Sequence, residues 1–296
     1  MFNTNLLLFV LKLATCLTLI ASKAVASGEN DFIDRIFQGE YDTHNEHRYH
    51  VAILQINPND TTELICGGAI VDSHYVLTAA HCVYGQEKNN LLIRSGWNKN
   101  PEKPELEKRI YHKVARIMYP KDYFHSECRS HEHDIAIIKV QRAFDLVDDK
   151  NFYKVNLPEY DNDYENYEAT LTGFGVEKIS IYVNKTSDTA SKELKYSQEL
   201  KYLDTKVIPI EECKLVSPVI VTNGNICTQS QNINGFSCIG DSGGPLVHEG
   251  VIIGIRNSHN NQCNHNQPEM FTRVSAYLNF INNVLNQQPS AGISYN

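Results

Sequence analysis

From Ile36 onward the chain carries short apolar, β-branched runs: Val51–Ile56, Gly68–Val71, Leu91–Ile93, Ile135–Val140 and Val251–Ile255. Each is bounded by Gly, Pro, Asn or Asp, which end strands rather than extend them. Short strands separated by turn residues predict an all-β architecture of barrels or sandwiches. The period changes once: Tyr277, Leu278, Ile281, Val284 and Leu285 recur at helical spacing behind Ser275, a residue type that caps helices, so a C-terminal helix is expected over about 275–287. The connection Asp145–Glu168 is rich in Asp, Asn and Tyr, and the boundary between two subdomains is expected there. Glu177–Lys201 mixes Lys, Ser, Thr and Glu and reads as an exposed loop flanking a strand, and residues 289–296 read as a disordered tail.

The first apolar run has another purpose. Leu6–Ile20 is almost wholly apolar and is followed by Ala24-Val25-Ala26. An apolar core ahead of an A-x-A site reads as a secretory signal peptide, residues 1–26, cut after Ala26. The run falls short of the roughly 20 residues that cross a bilayer, so export is favoured over a membrane anchor. The expected product is secreted and extracellular.

Composition narrows the classes further. With 42% hydrophobic and 21% charged residues among 296, a disordered chain is excluded, and 16 Gly and 10 Pro exclude a collagen-like one. The net charge of −8 argues against a nucleic-acid partner, which requires cationic side chains to neutralise phosphates. Eight cysteines are present, and Cys16 leaves with the signal. In an oxidising compartment most of the rest should pair, and their odd number leaves one over. Two sequons, at Asn59 and Asn184, fit the same compartment.

Three segments carry the candidate chemistry: Thr78-Ala79-Ala80-His81-Cys82, Asp134-Ile135-Ala136 and Gly240-Asp241-Ser242-Gly243-Gly244-Pro245. Taken singly, each His, Asp or Ser has an ordinary reading in packing, a turn or a loop. Together, in the order His, Asp, Ser, they resemble the chymotrypsin/trypsin family of serine endopeptidases over about Ile36–Val284. The resemblance implies two antiparallel six-stranded β-barrels with a C-terminal helix. The protease domain would span 36–288, with one barrel over about 36–150 and the other over about 165–273. It also implies that His81 is the general base, Asp134 its orienting carboxylate and Ser242 the nucleophile, with the backbone N–H groups of Gly240 and Ser242 as the oxyanion hole. A serine hydroxyl needs such a base because it is a weak nucleophile at neutral pH.

Further assignments follow from the same resemblance. Cys66–Cys82, Cys213–Cys227 and Cys238–Cys263 would be disulfides, leaving Cys128 as the odd thiol. Ala169 and His248 stand where the family often has a further cysteine pair. Residues 27–35 would be a short activation propeptide. Cleavage after Arg35 would free the ammonium of Ile36 to pair with Asp241. Phe236 falls at the floor of the primary specificity pocket, where trypsin-like members have Asp. Arg256 lies on its wall, and His259 and Glu269 stand where two glycines normally keep it open. Glu269 could accept a basic substrate side chain, Arg256 could neutralise Glu269 or favour an acidic one, and filling alone would favour small residues. A restricted, non-trypsin pocket is expected.

No metal or cofactor is expected. His131, Glu132 and His133 read as a solvated loop, and Glu102, Glu105 and Glu107 lack the spacing of a calcium site. The partners implied are a protein or peptide substrate, an activating protease and protein protease inhibitors, with the chain a monomer. The reading in a different class is a protease-fold binding or regulatory protein with little turnover, favoured by the crowded pocket and opposed by the intact triad motifs.

Overall fold

The computed structural model describes residues 33–34, 39–96, 111–123, 132–146, 152–159, 162–184, 189–217, 219–231, 235–257, 267–286 and 293–295. Two short strands open the chain, β1 (Ile33–Asp34) and β2 (Glu40–Tyr41). The first barrel follows: β3 (His50–Ile56), β4 (Thr62–Asp72), β5 (Tyr75–Thr78), β6 (Leu91–Ser95), β7 (Tyr111–Pro120) and β8 (Ala136–Val140). They pair in the order β7-β6-β3-β4-β5-β8, and a β7–β8 pairing closes the ring at six strands. The second barrel uses β9 (Glu168–Gly173), β12 (Lys201–Ile208), β13 (Asn225–Ser230), β14 (Pro245–His248), β15 (Val251–Arg256) and β16 (Glu269–Arg273). Its β13–β12 pairing closes the order β13-β16-β15-β14-β9-β12. Two closed six-stranded antiparallel barrels are therefore present, and closure removes the unpaired edges on which sheets aggregate.

Alternation along β3 explains how the barrels meet. Val51 and Ile53 point into the core of the first barrel, while Ala52 and Leu54 pack with Phe174 and Leu200 of the second. Successive side chains of a strand face opposite ways, so one strand serves the core and the inter-barrel seam. This is why β3 is apolar at consecutive positions.

Several elements differ from the sequence expectation. β2 pairs with β12, so the chain's second strand extends the sheet of the second barrel rather than the first. At the other end, residues 293–295 are not a disordered tail: β17 (Ile293–Tyr295) pairs antiparallel with β7, and Ile293 is buried in the first core. Segment 177–201 is not simply a loop, because β10 (Val176–Asn184) and β11 (Thr189–Tyr196) form a hairpin on which β1 pairs. Ile179, Ile181 and Val183 alternate with polar residues there, a period that the surrounding Lys, Ser and Glu masked. The C-terminal helix starts later than expected: a 3₁₀ turn covers Val274–Tyr277, and α2 below begins at Leu278. Ser275 caps nothing; its hydroxyl donates to the Asn162 carbonyl at 3.3 Å.

Two α-helices are described, α1 (Ile210–Val216) and α2 (Leu278–Leu285). Leu278, Ile281 and Val284 of α2 lie on one face, and Ile281 and Val284 bury against the first-barrel core. β2, ahead of the first barrel, and α2, after the second, thus cross between barrels and tie them together. No described helix is long and apolar enough to cross a membrane.

Candidate active site

The crevice between the barrels gathers the three motifs. Ala80–Cys82 forms a 3₁₀ turn after β5, and Asp134 lies just ahead of β8, which pairs with β5. That pairing brings His81 and Asp134 together across 53 residues of sequence. Asp134 is fully buried, and both its oxygens serve His81: Oδ1 accepts the His81 N–H at 2.8 Å, and Oδ2 lies 2.8 Å from Nδ1. A carboxylate only accepts, so Nδ1 carries the proton on this side; in the neutral ring Nε2 holds the lone pair, 3.6 Å from the Cys82 Sγ. Burial pulls the imidazole's pKa down, but the Asp134 charge and hydrogen bond outweigh it, so the net shift is upward from 6.5.

Two residues that sequence reasoning missed brace this pair. Thr272 of β16 donates its hydroxyl to the Asp134 carbonyl at 2.9 Å, and Asn257 donates to Thr272 Oγ1 at 3.3 Å. Both are buried polar side chains from the second barrel. No local motif marks them; only the barrel contact shows their use.

Ser242 sits on a tight loop entering β14. Its carbonyl accepts the Gly67 N–H of the first barrel at 2.7 Å, and the Thr78 hydroxyl donates to the Gly67 carbonyl at 2.8 Å. Gly243 has φ +75°, and a Cβ there would stand 2.6 Å from the Gly67 carbonyl oxygen and against Thr78 Oγ1. Only glycine fits that approach and that backbone region. Gly240 has φ +97°. Among the described residues, neither the Gly240 nor the Ser242 N–H is engaged in a hydrogen bond, and none joins Ser242 to the His81 ring.

Asp241 is buried beside this loop, its Oδ1 accepting Gly175 N–H and its Oδ2 accepting Cys238 N–H, each at 2.8 Å. Burial raises its pKa to about 6, against the lowering effect of the two amides and Arg256. Arg35 and Ile36, named with Asp241 as the activation residues, lie outside the described residues, as do the signal segment, Cys128 and the Glu102–Glu107 region.

The expected pocket residues come together apart from His259, which lies outside the described residues. Phe236 is buried against Val176 and Cys238. Arg256 Nε donates to Ser237 Oγ and lies 3.7 Å from Glu269 Oε2, and Nη1 donates to the Asn257 carbonyl at 2.8 Å. Glu269 Oε1 accepts the Ser237 N–H. Ser237 is the other residue that sequence reasoning missed.

The cysteines divide in the same way. Cys66–Cys82, beside His81, and Cys213–Cys227, joining α1 to β13, are disulfides. Cys238 is disulfide-bonded, while Cys263 lies outside the described residues. Cys66, His81 and Cys82 bring three potential metal-ligand atoms together, but both sulfurs are spent in the disulfide. Asn59 is exposed in a turn and accepts the Thr61 hydroxyl at 2.7 Å, whereas Asn184 ends β10 and its side chain lies outside the description.

Comparison with known proteins agrees with this fold. The Trypsin family model matches residues 36–281. Rat Kallikrein-8 is 28% identical over 228 residues, covering 76% of this chain and 78% of its own. Human Kallikrein-7 is 26% identical over 262 residues, covering 88% and 90%. Among solved structures, the scabies mite inactivated protease paralogue S-I1 superposes with a TM-score of 0.65 at 23% identity, covering 84% of this chain and 99% of that one.

Proposed function

Because the chain belongs to the trypsin family, we propose that it is a secreted serine endopeptidase, made as a zymogen and activated by cleavage after Arg35. The observation that carries this reading is the double engagement of His81 by the buried Asp134 carboxylate. It leaves Nε2, which lies 3.6 Å from the Cys82 sulfur, as the basic nitrogen of the neutral ring. In acylation, Ser242 Oγ attacks the scissile carbonyl carbon while its proton passes to His81 Nε2. The carbonyl oxygen becomes an oxyanion, for which the unengaged N–H groups of Gly240 and Ser242 are donors. Collapse expels the amine, which takes the proton from Nε2. Water then attacks the acyl-enzyme with His81 again accepting a proton, and Ser242 is regenerated as the acid product leaves.

Asp241 supplies the reason for a zymogen. A carboxylate buried with only two amide donors is costly, and an ammonium at Ile36 would compensate it. In the proposal this pairing tightens the loop 240–242, drawing Ser242 Oγ into reach of His81. Such hydrogen bonds are often long before activation and substrate binding. The signal segment, the exposed Asn59 sequon and the disulfides support an oxidising, extracellular setting, where the partners would be protein substrates, an activating protease and protease inhibitors.

A fluorophosphonate probe on Arg35-cleaved protein tests the reading. Labelling of the wild type and none of Ser242→Ala is expected; no labelling of either sinks it. A second reading, a protease-fold binding or regulatory protein, is favoured by the side chains that fill the pocket and by the absence of a Ser242–His81 hydrogen bond. It predicts that cleaved wild-type protein stays unlabelled.

A further inference from the structure

We infer that Arg256 and Glu269 form a built-in plug at the base of the primary pocket, restricting the chain to substrates with Gly, Ala or Ser on the acyl side of the scissile bond. The inference rests on the endopeptidase reading and names its substrate class. Three segments converge behind Ser242: Phe236–Cys238, the end of β15 at Arg256 and the start of β16 at Glu269. Their closeness to the nucleophile is direct, since the Gly243 N–H donates to the Arg256 carbonyl at 2.8 Å. The guanidinium does not leave for solvent. Its side chain is 9% exposed, that of Glu269 is 11% exposed, and Ser237 bridges them through its hydroxyl to Arg256 Nε and its N–H to Glu269 Oε1.

A pair so enclosed satisfies both charges internally. A substrate lysine or arginine would have to take Glu269 from Arg256, and a substrate aspartate or glutamate would have to take Arg256 from Glu269. Each exchange leaves one buried charge without its partner, which is strongly unfavourable. A large apolar side chain fares no better, because it would bury against an enclosed ion pair and cannot replace the hydrogen bonds that Ser237 and Asn257 make to it. Side chains that stop at or near Cβ meet none of these groups. The same pair is felt at the two neighbouring functional carboxyl and imidazole groups, as Arg256 lowers the pKa of both Asp241 and His81.

The plug predicts a reversal that simple crowding does not. Arg256→Ala should uncover Glu269 and gain cleavage after Lys and Arg, while Glu269→Ala should uncover Arg256 and gain cleavage after Asp and Glu. Arg256→Ala/Glu269→Ala leaves no unpaired charge and should admit larger apolar side chains without either charged preference. The experiment uses the full chain cleaved after Arg35, profiled with a peptide-amide library and titrated with p-aminobenzamidine, a small cation that reports an open acidic pocket without needing turnover. Expected results are a wild type that discriminates against charged side chains by roughly 100-fold or more, and gains of at least ~10-fold in each single variant toward the charge opposite to the one left. Arg256→Ala should also bind p-aminobenzamidine that the wild type rejects. Efficient wild-type cleavage after Lys or Arg, or amidine binding to the wild type as tight as to Arg256→Ala, overturns the plug. So does an unchanged profile in the double variant, whose fold is the least at risk. Failure of wild-type fluorophosphonate labelling refutes the endopeptidase reading instead, and the amidine titration still decides the plug.

Discussion

In the first barrel, His81 is held from two sides by one carboxylate, Asp134 is completely buried, and a disulfide closes the neighbouring turn. In the second barrel, Ser242 rides on a loop with two residues of positive φ, next to a buried Asp241 whose described hydrogen-bond donors are both amides. The His81 side is therefore organised by a carboxylate with both oxygens engaged, while the Ser242 side holds a buried carboxylate whose described donors are two amides. The contrast teaches where the proposed activation would act: cleavage after Arg35 would change little around His81 and a great deal around Asp241. The two sides also differ in how they use buried charge. Asp134 spends both oxygens on His81, whereas Arg256 and Glu269 face each other at 3.7 Å with Ser237 bonded to both.

The strongest way to break the contrast is to damage the base side. Asp134→Asn offers one acceptor oxygen where two are used, so either the His81 N–H or Nδ1 must face an NH₂ group. Proton transfer through His81 is then compromised, and kcat should fall by roughly 100- to 10,000-fold. A fall of similar size in Arg256→Ala with small substrates would mean that the sides are not separate after all.

Disulfide removal sharpens the same comparison. Cys66–Cys82 and Cys213–Cys227 close stretches of similar length, 16 and 14 residues apart in sequence. Replacing either pair by serines should cost about 3 kcal/mol of unfolding free energy in the chain-entropy account. Their effects on activity should diverge. Loss of the first pair should lower kcat at temperatures where the protein remains folded, because Cys82 adjoins His81, while loss of the second should leave kcat near wild type. Urea unfolding and steady-state kinetics on the two double variants read both quantities.

What the sequence made legible follows the same division. The runs at 51–56, 135–140 and 251–255 fall on β3, β8 and β15 because burial of apolar residues and the strand period act locally. The His81, Asp134 and Ser242 segments are legible because a resemblance carries them, and they reach one crevice. What stayed hidden depends on neighbours remote in sequence. Thr272 supports Asp134 from 138 residues away, and nothing in Glu269-Met270-Phe271-Thr272 announces it. The 289–296 segment reads as polar, yet Ile293–Tyr295 pairs with the end of β7 at Met118–Pro120, beyond the stretch paired by β6, and this satisfies backbone groups that composition does not count. Ser275 is a good cap by type, but the 3₁₀ turn set by the chain leaving β16 turns its hydroxyl to Asn162 instead.

A smaller effect concerns Asp241 in the intact chain. Its folded pKa is about 6 against 3.8 for the free side chain. A raised carboxyl contributes stability that is complete below the unfolded value and is lost as pH rises through the folded one. An uncleavable Arg35→Gln chain should therefore gain about 1 kcal/mol of stability from this group between about pH 7 and about pH 5. Asp241→Asn in the same background should lose that increment. If cleaved wild-type protein shows the same gain on acidification, Ile36 does not provide the cation, and the proposed activation pairing fails.

The finest test joins the two sides through one charge. Protonated His81 cannot accept the Ser242 proton, so kcat/KM should rise with pH through the imidazole's titration, on a limb lying above the ordinary histidine range. Burial alone would move that limb down; the Asp134 charge and hydrogen bond move it up and prevail, and Arg256 pulls it back part of the way. Arg256→Ala removes a nearby positive charge, makes the imidazolium easier to form and should shift the limb to higher pH, while Arg256→Lys should restore it. Asp134→Asn should shift it the other way, below the wild type. The measurement is kcat/KM for an Ala-containing peptide amide across the titration in all three variants. Coincident limbs for wild type and Arg256→Ala would show that the pocket's charge pair is screened from His81. The plug would then shape only which side chain enters, and the two sides of the site would be electrostatically independent.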